Sequence, residues 1–119
     1  MSYLLLIMED GDRRRKRAAG VGRRECDRMT RFAEGLKARG ICKASESLRS
    51  LSDGVRISVR GGSRVVADGP FAEAKEMVGG FFLLECPTRE EAIAIACECP
   101  ATEYATVELR EIGPCYEDD

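Results

Sequence analysis

The pattern of apolar and polar positions divides the chain into strand-length and helix-length pieces. Tyr3-Leu4-Leu5-Leu6-Ile7-Met8 is an unbroken apolar run, which predicts a central strand covered on both faces, and Glu9-Asp10-Gly11-Asp12 ends it. Phe81-Phe82-Leu83-Leu84-Glu85-Cys86, entered through Gly79-Gly80, predicts a second strand of the same kind. Val55, Ile57 and Val59 alternate with Arg56, Ser58 and Arg60, the period-two signature of a strand buried on one face. Ala105, Val107 and Leu109 alternate in the same way near the end of the chain, and residues 41–48 read as a weaker edge strand.

Two stretches carry helical spacing instead. Cys26, Met29, Phe32, Ala33 and Leu36 recur at three- and four-residue intervals, predicting a helix over residues 23–39 with Gly40 placed to close it. Gly35 inside that helix costs about 1 kcal/mol relative to Ala, so the helix must lean on tertiary packing. Thr88-Arg89-Glu90-Glu91 is a capping box in which Thr88 accepts from the Glu91 amide and the Glu91 carboxylate reaches back. The helix it starts is expected to turn Ala92, Ile93, Ala96 and Cys97 inward and to stop before Pro100.

Between Val55 and Asp68 the chain must reverse at Gly61-Gly62-Ser63, and the register of the hairpin can be argued from which side chains it would align. A three-residue loop sets Val59 opposite Val65 and Ile57 opposite Ala67, which keeps apolar residues together, and it sets Arg56 opposite Asp68. That register is the expectation.

The resulting order is strand, helix, strand, hairpin, strand, helix, strand. It predicts an α+β fold of the ferredoxin-like kind, the dimeric α+β barrel type, with two main helices on one face of a largely antiparallel sheet. A sheet left bare on its other face calls for a partner, and a homodimer is the economical one.

Composition narrows the function. At 119 residues, with 44% hydrophobic and 34% charged positions, the chain is long enough for one domain with its own core. No apolar run has the length of a membrane span, and none has the flanks of a signal peptide, so the expected location is the cytoplasm, with no membrane partner. The six cysteines then read as reduced thiols. With no histidine and a Cys97-x-Cys99 spacing unlike that of zinc sites, neither a metal nor a cofactor is expected.

Charge is unevenly spread. Residues 13–31 hold nine basic side chains against Glu25 and Asp27, a net of +7, within a chain whose total is −2. Residues 9–22 read as a basic, mobile loop with at most a short helical turn, and residues 113–119 as a frayed acidic tail. The Arg13 to Arg17 cluster is the one feature suited to nucleic acid, but the acidic total and the lack of nearby aromatic residues for stacking argue against that partner.

Asp68-Gly69-Pro70-Phe71, followed by Ala72-Glu73-Ala74-Lys75-Glu76 and Gly79-Gly80-Phe81, resembles the defining stretch of the DGPF branch of the YCII-related superfamily. The opening Tyr3-Leu4-Leu5-Leu6, the segment Ala44-Ser45-Glu46-Ser47-Leu48 and the closing Val107-Glu108-Leu109-Arg110 resemble it too, so the likeness extends over nearly the whole chain. The resemblance implies a dimeric ferredoxin-like fold and a cleft to which Asp68 contributes. In the wider superfamily an enzymatic role has been suspected around a His–Asp pair, and some related domains accompany transcription factors. This chain has no His, so that dyad is absent.

Candidate site residues follow. Asp68 is a candidate general base or an anchor for a substrate amine, and equally the turn-making residue that an Asp before Gly-Pro often is. Lys75 and Glu76 are expected at the lip of the same pocket, Glu46 as a second carboxylate, Arg56 as the cationic neighbour of Asp68, and Phe71 as pocket wall. Two classes of function fit: a small-molecule enzyme or enzyme-like binder with its cleft near the motif, or a non-catalytic ligand-sensing or regulatory module whose motif shapes a turn.

Overall fold

The structure, a computed structural model, describes residues 1–71 and 75–116. Its elements run β1 (Ser2–Asp10), α1 (Arg13–Lys16), α2 (Val21–Ala38), β2 (Cys42–Ser47), β3 (Val55–Arg60), β4 (Ser63–Asp68), β5 (Glu76–Glu85), α3 (Arg89–Glu98) and β6 (Thr106–Glu111), with short 3-10 turns at Leu51–Asp53 and Pro100–Glu103. Four strands form an antiparallel sheet in the order β2-β5-β1-β6, the ferredoxin-like arrangement, while among the described residues β3 and β4 pair only with each other. Ala72, Glu73 and Ala74 of the motif, and the last three residues of the acidic tail, lie outside the described residues.

The core is the helix-facing side of the sheet. Along β1, Tyr3, Leu5 and Ile7 are buried while Leu4, Leu6 and Met8 are only half-buried, so the continuous apolar run has one fully covered face rather than two. Phe82 and Leu84 from β5 join the buried set, with Ala33 and Leu36 from α2 and Phe32 edge-on to Phe82 at 5.5 Å between ring centroids. Gly40, at φ +73°, closes α2 in the left-handed conformation that glycine adopts without strain.

Thr88 caps α3, its hydroxyl accepting from the Glu91 amide at 3.1 Å. The inward stripe of α3 keeps Ala92 and the half-buried Ala96 of the expected set but not the other two. Ala92, Ile95 and, just past the helix, Cys99 are buried, while Ile93 and Cys97 are exposed. The apolar pattern of this short helix is nearly isotropic, so the sheet decides which residues turn in.

Within residues 9–22, Glu9 and Asp10 belong to β1 rather than to the loop expected there, Arg13–Lys16 form the short helical turn α1, and three of the arginines are held by carboxylates and carbonyls.

The hairpin register departs as well. Val59 faces Arg64, Ile57 faces Val66, Val55 faces Asp68, and Arg56 faces Ala67, so Arg56 and Asp68 are not the aligned pair expected. Gly61 and Gly62, at φ +57° and +79°, form the two-residue turn whose twist suits a hairpin. Every residue of β3 and β4 is exposed, and with no buried face to enforce apolar alignment the turn sets the register. No helix among the described residues is long and apolar enough to cross a membrane.

Candidate functional site

The alternation that buries Tyr3, Leu5 and Ile7 continues one step further and places a carboxylate in the same layer. Glu9 is 5% exposed. Leaving an ionised carboxylate there alone would cost several kcal/mol, so a partner is obligatory. Arg14 supplies it: its Nε donates to Glu9 Oε2 at 2.8 Å, one Nη donates to the Gly79 carbonyl at 2.9 Å, and the other donates to the Leu48 carbonyl. One guanidinium thus joins α1 to β1, to β5 and to the end of β2.

Gly79 is part of this fit. A Cβ at that position would stand 2.6 Å from Glu9 Oε2 and 2.8 Å from an Arg14 Nη. Only glycine lets the ion pair lie against the strand, which gives the Gly79-Gly80 step of the motif a packing reason. Gly80 has a similar one, because a Cβ there would come 2.9 Å from the Glu46 carbonyl oxygen.

A second carboxylate, Glu25 of α2, is gripped from the other side. Arg13 holds it through both guanidinium nitrogens and Arg17 adds a hydrogen bond at 3.1 Å. The Arg13 hydrogen bond is the main reason the Glu25 carboxyl is held below the usual carboxylate range, against an opposing effect of burial. Arg13 also lies over the Tyr104 ring, 4.2 Å from its centroid. Burial, reinforced by the charge of Glu25, pushes the Tyr104 phenol up to about 12, so it remains a protonated donor through the physiological range.

These groups meet at a cavity of about 350 Å³ between α2 and the sheet. Ile7, Met29, Ala33 and Phe82 give it apolar walls, and Glu9, Arg14, Arg17, Glu25 and Tyr104 bring polar groups to it. Cys26, an exposed free thiol on α2, also borders it. The volume lies near the lower end of the range of roughly 300–1,000 Å³ typical of small-ligand pockets, and apolar walls with a few convergent polar groups are the usual composition of such pockets.

The residues expected to form the site are distributed differently. Phe71 and Lys75 line a second, wider groove with Asp10, Asp12, Leu51 and Pro70, and Arg14 separates this groove from the first cavity by lining both. Arg56 sits over the Phe71 ring at 3.9 Å. Glu76 opens β5 opposite Asp10 and, with Lys75, borders a shallow surface groove beside Tyr104. Glu46 borders the first cavity, although its pairing with Phe81 aligns it with the half-buried side of the sheet.

Asp68, exposed at the end of β4, lines neither the cavity nor the groove. The expected grouping of Asp68, Lys75 and Glu46 around one pocket is therefore not formed. Glu46 lies on a strand of the main sheet and Asp68 on a separate hairpin. Sequence reading missed Glu9, Arg14, Arg17 and Glu25 as site residues. For Glu9 a signal existed, its place three two-residue steps along the strand from Tyr3. Among the described residues no three His, Cys, Asp or Glu side chains converge as a metal site would require.

The model of one family, the YCII-related domain, matches residues 1–115. Among curated proteins, an uncharacterized protein of Rhizobium meliloti (strain 1021) is 49% identical over 35 residues, a match that takes in 29% of this chain and 28% of that relative's length. Among solved structures, the 5-chloro-2-hydroxyhydroquinone dehydrochlorinase of Burkholderia phenoliruptrix, in complex with 2,5-dihydroxybenzoquinone, aligns over 95% of this chain and 94% of its own, with a TM-score of 0.49 and 15% identity.

Proposed function

The chain belongs to the YCII-related domain family, and from that premise we propose that it binds a small organic molecule, in an enzyme-like manner, in the cavity between α2 and the sheet. The observation that carries the reading is the convergence of a buried carboxylate, a guanidinium and a protonated phenol, Glu9, Arg17 and Tyr104, on a space walled by Ile7, Met29 and Phe82. The ligand class that fits has a flat or compact hydrocarbon body, a donor for Glu9 and an acceptor for Tyr104 or Arg17. A small hydroxy acid of aromatic size meets all three requirements.

In this reading Glu9 is the candidate acid–base or anchoring group, held in place by Arg14, whose own donors are committed to Glu9 and two carbonyls. Asp68 and Lys75 are not in contact with the ligand. The chain acts as a homodimer, with the apolar stripe of Leu4, Leu6, Phe81 and Leu83, opposite the helices, as one face that a second copy covers.

The test is binding of 4-hydroxybenzoate followed by amide NMR shifts on the intact chain. Shifts are expected to cluster at Met29, Gly79, Gly80 and Phe82, to vanish in Met29→Trp, which fills the cavity, and to persist in Asp68→Asn. Shifts confined to Leu51, Phe71 and Lys75, or binding indifferent to Met29→Trp, would move the site to the outer groove and overturn the assignment.

A further inference from the structure

The β3–β4 hairpin is an arm without a core. Among the described residues it pairs with no other strand, and all twelve of its strand residues are exposed. The radius of gyration, 16.4 Å, exceeds the roughly 13–14 Å of a compact domain of this length, as a projecting element requires. An isolated two-stranded hairpin is at best marginally stable in water.

Its base is nevertheless built to hold one direction. The Gly69 amide donates to the Gly54 carbonyl at 2.8 Å, and Gly69 packs so closely on Leu51 that a Cβ there would fall 2.0 Å from the Leu51 carbonyl oxygen. Arg56 and Phe71 stack across the root of the arm. The Asp68-Gly69-Pro70-Phe71 part of the family signature is thus the anchor of the arm.

Directly opposed residues of an antiparallel pair share a face, so one face of the arm carries Val55, Ile57, Val59 and Val66, with Arg64 near the tip and Asp68 at the root. The four apolar residues are 52%, 62%, 59% and 62% exposed. Neither Arg64 nor Asp68 has an ion-pair partner among the described residues. Four strand positions, roughly 13 Å, separate them, too far to pair within the arm.

We infer that this face docks on the same face of a second copy, the two arms packed antiparallel about a two-fold axis. The pattern is self-complementary: positive tip, apolar middle, negative root. Two-fold stacking sets Arg64 of each copy against Asp68 of the other and covers both apolar patches, making a four-stranded sandwich of two hairpins. The contact is separate from the one assigned above to the open side of the main sheet. It gives Asp68 an intersubunit role in place of a catalytic one.

Charge reversal tests it without touching the core. By sedimentation at micromolar concentration, Arg64→Asp and Asp68→Arg are each expected to halve the solution mass of the assembly or weaken it by about tenfold or more, since each turns two symmetric attractions into repulsions. The double exchange, Arg64→Asp with Asp68→Arg, is expected to restore the wild-type mass, and Ile57→Lys to lower it irreversibly. Circular dichroism checks that each variant is folded. A monomeric wild type, single reversals that assemble as well as wild type, or a double exchange that fails to restore what the singles lose would each overturn the inference.

Discussion

The cavity under α2 and the β3–β4 arm handle charge in opposite ways. Around the cavity, Glu9, Arg14, Glu25, Arg13 and Arg17 satisfy one another within the chain, at 5% exposure for Glu9. On the arm, Arg64 and Asp68 stand exposed at the two ends of an apolar face and do not meet. A closed set of charges rigidifies a site and prepares it for a small ligand, whereas an open, patterned set is an address for another surface. The family signature spans both: Gly79 and Gly80 shape the cavity wall, and residues 68–71 anchor the arm.

The strongest way to break the contrast is to open the closed set. Arg14→Leu leaves Glu9 in the core without its ion-pair partner, takes the Arg14 donor from the Leu48 carbonyl, and leaves the Gly79 carbonyl with the Leu48 amide alone. Losing one member of a buried pair costs about 3–5 kcal/mol, a loss expected as a lower urea midpoint at unchanged slope. The double variant Glu9→Leu/Arg14→Leu should recover part of it, because the uncompensated charge is then gone. A loss below about 1 kcal/mol for the single variant would mean that Glu9 reaches water and that the set is not closed.

How far each region was legible follows from the same difference. Helix α2 and the Thr88 cap were readable because the spacing of their residues records how they meet the core and start a helix, whereas the unbroken apolar run of β1 marked a strand without saying that only one of its faces is fully covered. Glu9 was partly readable, as a polar residue at a core-facing step of an alternating strand. Arg14 was not, since nothing in a run of five basic residues says which one turns inward; that is decided by where Glu9, Leu48 and Gly79 come together in space. The hairpin register was misread because apolar matching was assumed to govern it. With Ile57 and Val66 both exposed, no burial enforced the match, and the paired positive φ of Gly61 and Gly62 won.

Titration sharpens the comparison further, with a smaller effect. Glu25 is held below its unfolded range by Arg13, so its contribution to stability is complete above the unfolded pKa and is lost as pH falls through the folded value. Tyr104 is pushed up from 10.0 to about 12, so its contribution is complete below pH 10 and is lost as pH rises from there through about 12. Urea midpoints against pH should therefore decline at both limits. Glu25→Gln should flatten the acid limb and Tyr104→Phe the alkaline one.

The smallest effect separates the two regions most cleanly. Val66→Ser removes an apolar side chain that is 62% exposed, and a surface change of this kind shifts stability by no more than about 0.5 kcal/mol. Measured at nanomolar concentration, its melting temperature should match that of wild type. At tens of micromolar the two should diverge, because docking of the arms adds to the stabilisation of the folded state by mass action, and the melting temperature of wild type should climb with concentration more steeply than that of the variant. A core truncation such as Leu5→Ala behaves in the reverse manner, with a loss of about 2–5 kcal/mol already present at the lowest concentration and a concentration dependence left intact. If Val66→Ser instead lowered the melting temperature equally at every concentration, the arm would be part of the folded core of a single chain and the division between the two regions would fail.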